Sequence, residues 1–502
     1  MSSVQLPLFK SLKCSLILAL VPTQLLAASS LGTIRQGYSD SIRGSTASQT
    51  STQVELEAQA YGFEIPDRPQ LSRSTLLKAG LTYESGRGDW GGKVDAFAGR
   101  YLDLKYSIFS VKEAYVSFQS GELNRNGGAL WTLALGRKRE FWSAVDQNWD
   151  LGLWEPKYLE EPLRPVDQGI SGLLMSYQNS NGIEWSAYLS PIFVPTMNPS
   201  LSEKNGDLVS ESRWTRPPSS STELIGTNTR LIYDLKIPDV ASLVAKPGAG
   251  TRLSLGKNQT RGFWISGNFA RKPINALAIK YDYRLAVSST TGSAGEGLVS
   301  VSPTVNYHRL YGLDVGANYE SVKMSLSFLE DKPETTLPKD DFSSDGIART
   351  EWIQQAPQPV QVYGAHLEWQ AAGILRDPIA IKLDYLKANS SSTRDLNSAG
   401  EDKGSLIPNR LFFTNALQMK AEVLVFPGAK PLTLSFRYLR ELDQVGSIYS
   451  VSGKLFATKS VAIFSGLDIL GPDDGSDQNQ DNRFLNSFRT NDRVYGGLSY
   501  VF

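Results

Sequence analysis

The chain has 502 residues, with 51 basic and 51 acidic side chains and no formal net charge. That balance excludes the basic excess of a nucleic-acid-binding protein. The single cysteine, Cys14, lies at the very start, so no disulfide framework can hold the remainder together.

The first residues read as an export leader. Lys10 and Lys13 precede an apolar run over 14–21, and small residues follow at Ala27, Ala28, Ser29 and Ser30. A basic start, a short apolar stretch and a small-residue cleavage site predict a secretory signal over 1–28. The run is shorter than the roughly 20 apolar residues a spanning helix needs. Cleavage removes Lys10 and Lys13 and leaves the exported chain slightly acidic. Residues 29–50 are rich in Ser, Thr, Gly and Gln and are expected to form an unpatterned N-terminal periplasmic segment.

From Gln53 onward the pattern has a period of two. Val54, Leu56, Ala58 and Ala60 share one face, with Glu55, Glu57 and Gln59 on the other. Alternation recurs near Ala114–Phe118, Trp131–Leu135, Leu173–Tyr177 and Ile183–Leu189. Its clearest stretch is 277–287, where Tyr281 and Tyr283 alternate with Lys280, Asp282 and Arg284. It continues through 313–328, 363–385 and 417–438. Helical periodicity is found nowhere over a useful window, so every element is read as a strand.

The connections supply a second pattern. Short links at 178–182, 271–275, 319–322, 426–431 and 457–460 alternate with long polar ones near 194–223, 288–310, 331–358, 388–409 and 471–491. Short turns on one side and long loops on the other are the arrangement of an outer-membrane barrel, because lipid tolerates only helices or closed sheets. The prediction is an all-β, antiparallel transmembrane β-barrel over 51–502, of roughly 18 strands within the range 16–20. The last strand supports it. Leu498, Tyr500 and Phe502 fall on one apolar face, opposite Arg493, Tyr495 and Ser499. This stretch resembles the closing strand of a Gram-negative outer-membrane β-barrel.

The longest interruption in the first half runs from Arg137 to Gly169. It carries Trp142, Trp149 and Trp154 with Asp146 and Asp167, and Pro156, Pro162 and Pro165 break any strand. So many aromatic groups are costly to leave in water. Segment 140–167 is therefore expected to pack, either inward as a constriction or outside as a lid. Glu113-Ala114-Tyr115, Leu135-Gly136-Arg137, Trp142 and Asp146 together resemble the N-terminal part of porin-like families, including alginate-export-type channels. That resemblance implies a large monomeric barrel conducting a solute or polymer. The chain lacks an arginine-dominated lumen, so only the architecture is carried over.

Polar strand faces would line the pore, with Lys280, Asp282, Arg284, Lys382, Asp384, Lys420, Glu422 and Arg437 as the expected lining charges. The competing reading makes them ion pairs that hold the wall. His308 and His366 are too few and too far apart for a metal site. The letters of Gly86–Gly91 match a dinucleotide fingerprint, but a strand follows instead of a helix. Asp477, Asn479 and Asp481 mimic the start of a calcium loop that then fails at Asn482 and Phe488. No cofactor, metal or enzymatic activity is expected.

The expected function is passive passage of small hydrophilic solutes or ions across the outer membrane of a Gram-negative bacterium. Expected partners are outer-membrane lipid, lipopolysaccharide and the barrel-assembly machinery, with no nucleic acid. The alternatives are a structural or adhesive surface protein with an occluded lumen, and a gated exporter.

Overall fold

The computed structural model describes residues 48–502 except 66–67, 105, 124–127, 200, 225–226, 237–238, 257–260, 286–295, 338–350, 372–378, 390–392, 398–399, 402–409, 426–429, 444 and 473–483. The export leader, nearly all of the N-terminal segment and the calcium-like loop at Asp477 lie outside the described residues.

Eighteen strands form one sheet that closes on itself. The first nine are β1 (Gln49–Tyr61), β2 (Arg73–Arg87), β3 (Trp90–Tyr101), β4 (Ser107–Gly121), β5 (Ala129–Lys138), β6 (Ile170–Asn179), β7 (Ile183–Ser190), β8 (Gly248–Leu255) and β9 (Arg261–Pro273). The second nine are β10 (Tyr307–Tyr319), β11 (Val322–Glu334), β12 (Val360–Ala371), β13 (Ile379–Asn389), β14 (Asn415–Leu424), β15 (Leu432–Glu441), β16 (Gly446–Phe456), β17 (Val461–Pro472) and β18 (Arg493–Val501). Each pairs antiparallel with its neighbour, and β1 closes on β18 with Leu56 opposite Leu498 and Val54 opposite Tyr500. Closure leaves no barrel edge unpaired, which is what a strand protein in hydrocarbon requires.

The faces are inverted relative to a soluble protein. On β11, Met324 and Leu326 are exposed, at 49% and 62%, while Ser325, Ser327 and Leu329 are buried. On β18, Leu498, Tyr500 and the flanking Phe502 point outward, while Arg493, Tyr495 and Ser499 point inward. Apolar groups outside and polar groups inside are the pattern of a barrel whose solvent is lipid.

The connections obey the expected parity. Links 88–89, 180–182, 320–321 and 457–460 lie at one end, and 139–169, 191–247, 274–306 and 335–359 lie at the other. One register shift, between Asp95 and Ala96, marks a bulge that lets Lys112 reach Asp95 at 3.1 Å.

Strand 278–285 corrects an expectation. It is a strand, but not a wall strand. It sits in a separate six-stranded sheet ordered 221–224, 227–235, 297–304, 278–285, 351–357 and 393–397, built from the long connections. Lys280, Asp282 and Arg284 therefore do not line the barrel wall. The reason is that a half-buried strand outside the membrane alternates with the same period as a barrel strand. Here the buried face packs Tyr233, Val299 and Val301 against Leu208, with Ile279 and Tyr281 beside them. The 271–275 link is corrected with it. Pro273 ends β9 at the long-loop end, where 274–306 leaves the barrel.

Candidate functional site

The lumen wall has two zones. Toward the short turns it is polar. Lys382 faces Lys420 in register, and Glu368 lies 3.8 Å from Lys382 and 3.3 Å from Lys323. Asp384 accepts from Gln418 at 3.3 Å and bonds His366 Nδ1 at 2.6 Å. Arg437 Nε donates to Gln418 Oε1 at 2.7 Å. Glu422 lies nearer the short-turn end, exposed, opposite Ala380. Of the expected lining residues, Lys382, Asp384, Lys420, Glu422 and Arg437 thus share one lumen, and Asp384 and Arg437 are engaged in a wall network.

Toward the long loops the wall turns apolar. Ala270, Leu310, Leu329, Val362, Leu386, Leu439, Ile448 and Leu470 are all buried, and they form one core with residues of the 139–169 segment. The segment lies inside the barrel. It contains a short helix, α1 (Ala144–Asn148), whose Val145 rests against the β12 backbone at Gly364. A Cβ at Gly364 would meet Val145 Cγ2 at 2.6 Å, so only glycine permits that approach.

The aromatic groups predicted to pack do so. Trp142 and Trp154 stack with centroids 5.3 Å apart, and Tyr188 of β7 meets Trp142 edge-on at 5.0 Å. Trp149 meets Phe413 at 6.5 Å. Such pairs contribute about 0.5–1.5 kcal/mol beyond simple burial. Asp146 does not face the lumen. Its two oxygens accept from the backbone N–H groups of Leu153 and Trp154 at 2.8 and 3.2 Å, closing the segment on itself. Asp167 pairs with Lys157 and lies 3.9 Å from Arg139.

Polar anchors hold the segment on opposite sides of the barrel. On one side Asn268 Nδ2 of β9 donates to the Trp142 carbonyl at 2.7 Å, and the Ala144 N–H donates to Asp314 of β10 at 3.2 Å. On the other side Arg493 of β18 donates to Glu161 at 2.6 Å and to Asp468 of β17 at 2.8 Å. Gln59 of β1 donates to the same Glu161 oxygen at 2.6 Å. Arg164 lies 3.4 Å from Glu57 and 3.5 Å from Asp468, its guanidinium 3.7 Å over the Tyr495 ring.

This seam cluster of Glu57, Gln59, Glu161, Arg164, Asp468 and Arg493 was not anticipated from sequence. The available signal was a lone Arg493 on the polar face of the last strand.

The carboxyls of the segment divide by environment. Burial pushes Glu160 up to about 7, against a bond from Tyr106, and also raises Glu155 well above the usual carboxylate range. Burial also opposes the charge of Glu161, but Arg493 and Arg164 outweigh it and hold that carboxyl at about 2. Asp150 and Asp167 keep Lys157 above the usual lysine range despite its burial.

Closed strand pairing, inverted faces and an inward segment define the class: a porin-like, antiparallel β-barrel of the outer-membrane type. No family model matches the sequence, and no curated protein matches it. Among solved structures the chain is similar to Salmonella typhi OmpF in complex with daunomycin, at 9% identity over 91% of this chain and 97% of that one, TM-score 0.35. It is also similar to the trimer form of OmpT, an outer membrane protein of Vibrio cholerae, at 7% identity over 91% and 99%, TM-score 0.36. At such values the class rests on the chain's own strand pairing.

Proposed function

We propose that the chain is an outer-membrane channel of a Gram-negative bacterium for passive diffusion of small hydrophilic solutes or ions, narrowed by residues 140–167. Lipid and lipopolysaccharide would surround it, and the barrel-assembly machinery would insert it. The observation that carries this reading is the polar half-lumen of Lys382, Lys420, Glu368 and Asp384 beneath a segment bonded to both sides of the wall. Selection would then be geometric and electrostatic, set by the width the segment leaves and by mixed lining charges. No catalytic group is needed.

The test is single-channel conductance of the folded chain in a planar bilayer, with and without residues 140–167. Stepwise openings are expected, with larger steps after deletion. A second reading is favoured by the continuous apolar core between the segment and the wall. It makes the barrel a gated exporter, or an occluded surface protein. A folded, heat-modifiable barrel that stays silent would replace the open channel with that reading.

A further inference from the structure

The outer surface carries a row of like charge at the long-loop end of β9–β11. Arg271 stands opposite Arg309, and Arg309 stands opposite Lys332, on three neighbouring strands. All three side chains are more than half exposed, on the outward face that also bears Tyr311 and Leu313. Like charges directly opposite one another destabilise a strand pair. The wall supplies two carboxylates for the three cations. Glu334 accepts from Arg271 Nη2 at 2.8 Å and from Arg309 Nε at 2.6 Å, and Glu330 lies 2.9 Å from Lys332. Among the described residues no other hydrogen bond engages Arg309. Both of its terminal nitrogens are uncommitted, and one positive charge of the row is left over.

The row sits where lipid meets water. One step nearer the short turns, Phe269 pairs with Tyr311, their ring centroids 5.2 Å apart. The Lys332 ammonium lies 5.4 Å from the Tyr311 centroid. From Tyr311 to Tyr319 the outward face of β10 is Leu313, Val315 and Ala317, apolar throughout. That stretch of strand rises about 26 Å, or about 20 Å of depth at a tilt of about 40°. Aromatic side chains bracket the apolar band of a barrel at both interfaces. The three cations therefore stand just beyond the ring, at the headgroup level of the long-loop leaflet.

These features choose the ligand class. A phosphate monoester takes charge-assisted hydrogen bonds from an arginine fork and a lysine ammonium. The apolar face of a sugar ring lies on an aromatic side chain such as Tyr311 or Phe269. Acyl chains run down beside Leu313, Val315 and Leu326, which are exposed. A soluble anion uses only the first of these contacts and meets two carboxylates as well. An anionic phospholipid lacks the second. We propose that the outward face of β9–β11 binds the phosphorylated sugar headgroup of a glycolipid in the long-loop leaflet. The proposal rests on the outer-membrane reading for its leaflet and is independent of whether the barrel conducts.

The test is microscale thermophoresis of the folded full chain in dodecyl maltoside, titrated with diphosphoryl lipid A. Saturable binding is expected, at least tenfold tighter than that of dephosphorylated lipid A or of phosphatidylglycerol. Inorganic phosphate in excess is expected not to compete. The double variant Arg309→Gln with Lys332→Gln is expected to weaken lipid A at least tenfold. Arg73→Gln with Arg100→Gln removes two exposed cations from β2 and β3, outside the row, and is expected to leave binding unchanged. Heat-modifiability confirms that each variant is folded. Non-saturable binding, undiminished binding by the Arg309 and Lys332 variant, or an equal loss in the control would overturn the site. Displacement by inorganic phosphate would make it a free-phosphate site. Equal affinity for phosphatidylglycerol would make it a general anionic-lipid surface, and equal affinity for the dephosphorylated lipid would leave the cations without a role. Each of these overturns the glycolipid assignment. A barrel that conducts but fails these tests loses the site and keeps the channel. A silent barrel that passes them keeps the site and loses the channel.

Discussion

Arg493 ties the last strand to the inward segment. Its side chain is fully buried and satisfies Glu161 and Asp468 at once. Removing one member of such a cluster leaves its partners charged and unpaired, at a cost of about 3–5 kcal/mol. Arg493→Met is expected to lower the urea midpoint and free the segment for proteolysis. Adding Glu161→Gln and Asp468→Asn to it should recover most of the loss. A single variant as stable as the parent would sink the latch. Acid should loosen the same cluster. Glu161 titrates below its unfolded value, so its stabilisation is whole above the unfolded carboxylate pKa and is lost as pH falls toward about 2. Glu160 behaves oppositely. Its raised pKa makes its contribution greatest in acid and smaller as pH rises to about 7. Tyr106 faces it from the β3–β4 connection, and Glu161 and Tyr158 flank it on the segment. Protease nicking within 139–169 is expected to rise between pH 5 and pH 8 in the parent, and Glu160→Gln should flatten that rise. Nicking that is independent of pH in both proteins would refute the assignment. The inward direction of Arg493 was legible from alternation. Its partner Glu161 was not, because pairing across some three hundred residues leaves no local pattern.

The inward segment is held as an element by shape as well as charge. α1 is a single turn and would be marginal alone. It persists because Val145 enters the gap that Gly364 leaves in β12. Gly364→Val fills that gap from the wall side and is expected to displace α1 without opening the barrel. Conductance steps should enlarge while heat-modifiability stays. Gly267→Ala is the control, since a Cβ there meets nothing within 4 Å. Equal behaviour of the two variants would mean that the contact does not position the segment. The packing of Trp142, Trp149 and Trp154 could be read from the cost of exposing them. The roles of Asp146 and Asp167 could not. Both carboxylates serve the segment's own fold, and a sequence shows charge without showing what it faces. Strand 278–285 teaches the same limit at this scale. Alternation announced a strand with one apolar face, and a soluble sheet buries such a face as readily as lipid does. In the structure it lies within the single long connection 274–306, which the sequence pattern divides into a short link and a wall strand.

The whole molecule depends on which solvent meets its outer surface. Leu326, Leu313 and Leu367 stand outward on adjacent strands with no protein over them, while Ser327, Asp314 and His366 face in. In water this arrangement would be unstable, because the exposed apolar band has nothing to bury against. In a bilayer the same band is the source of stability, and the closed ladder leaves no backbone group to solvate. A charge placed on the band therefore measures the solvent directly. Leu326→Arg is expected to cost about 2–4 kcal/mol in lipid vesicles if the position lies near the bilayer midplane. Glu422→Arg, inward-facing and exposed in the polar zone, should cost far less and should change conductance instead. Folding yield and urea midpoint in vesicles report the first effect, and bilayer conductance reports the second. Reversal of the two would place the polar face against lipid and exclude the barrel orientation. Near-equal small costs would mean that the outward face meets water, and the two-zone lumen would then have no membrane to cross.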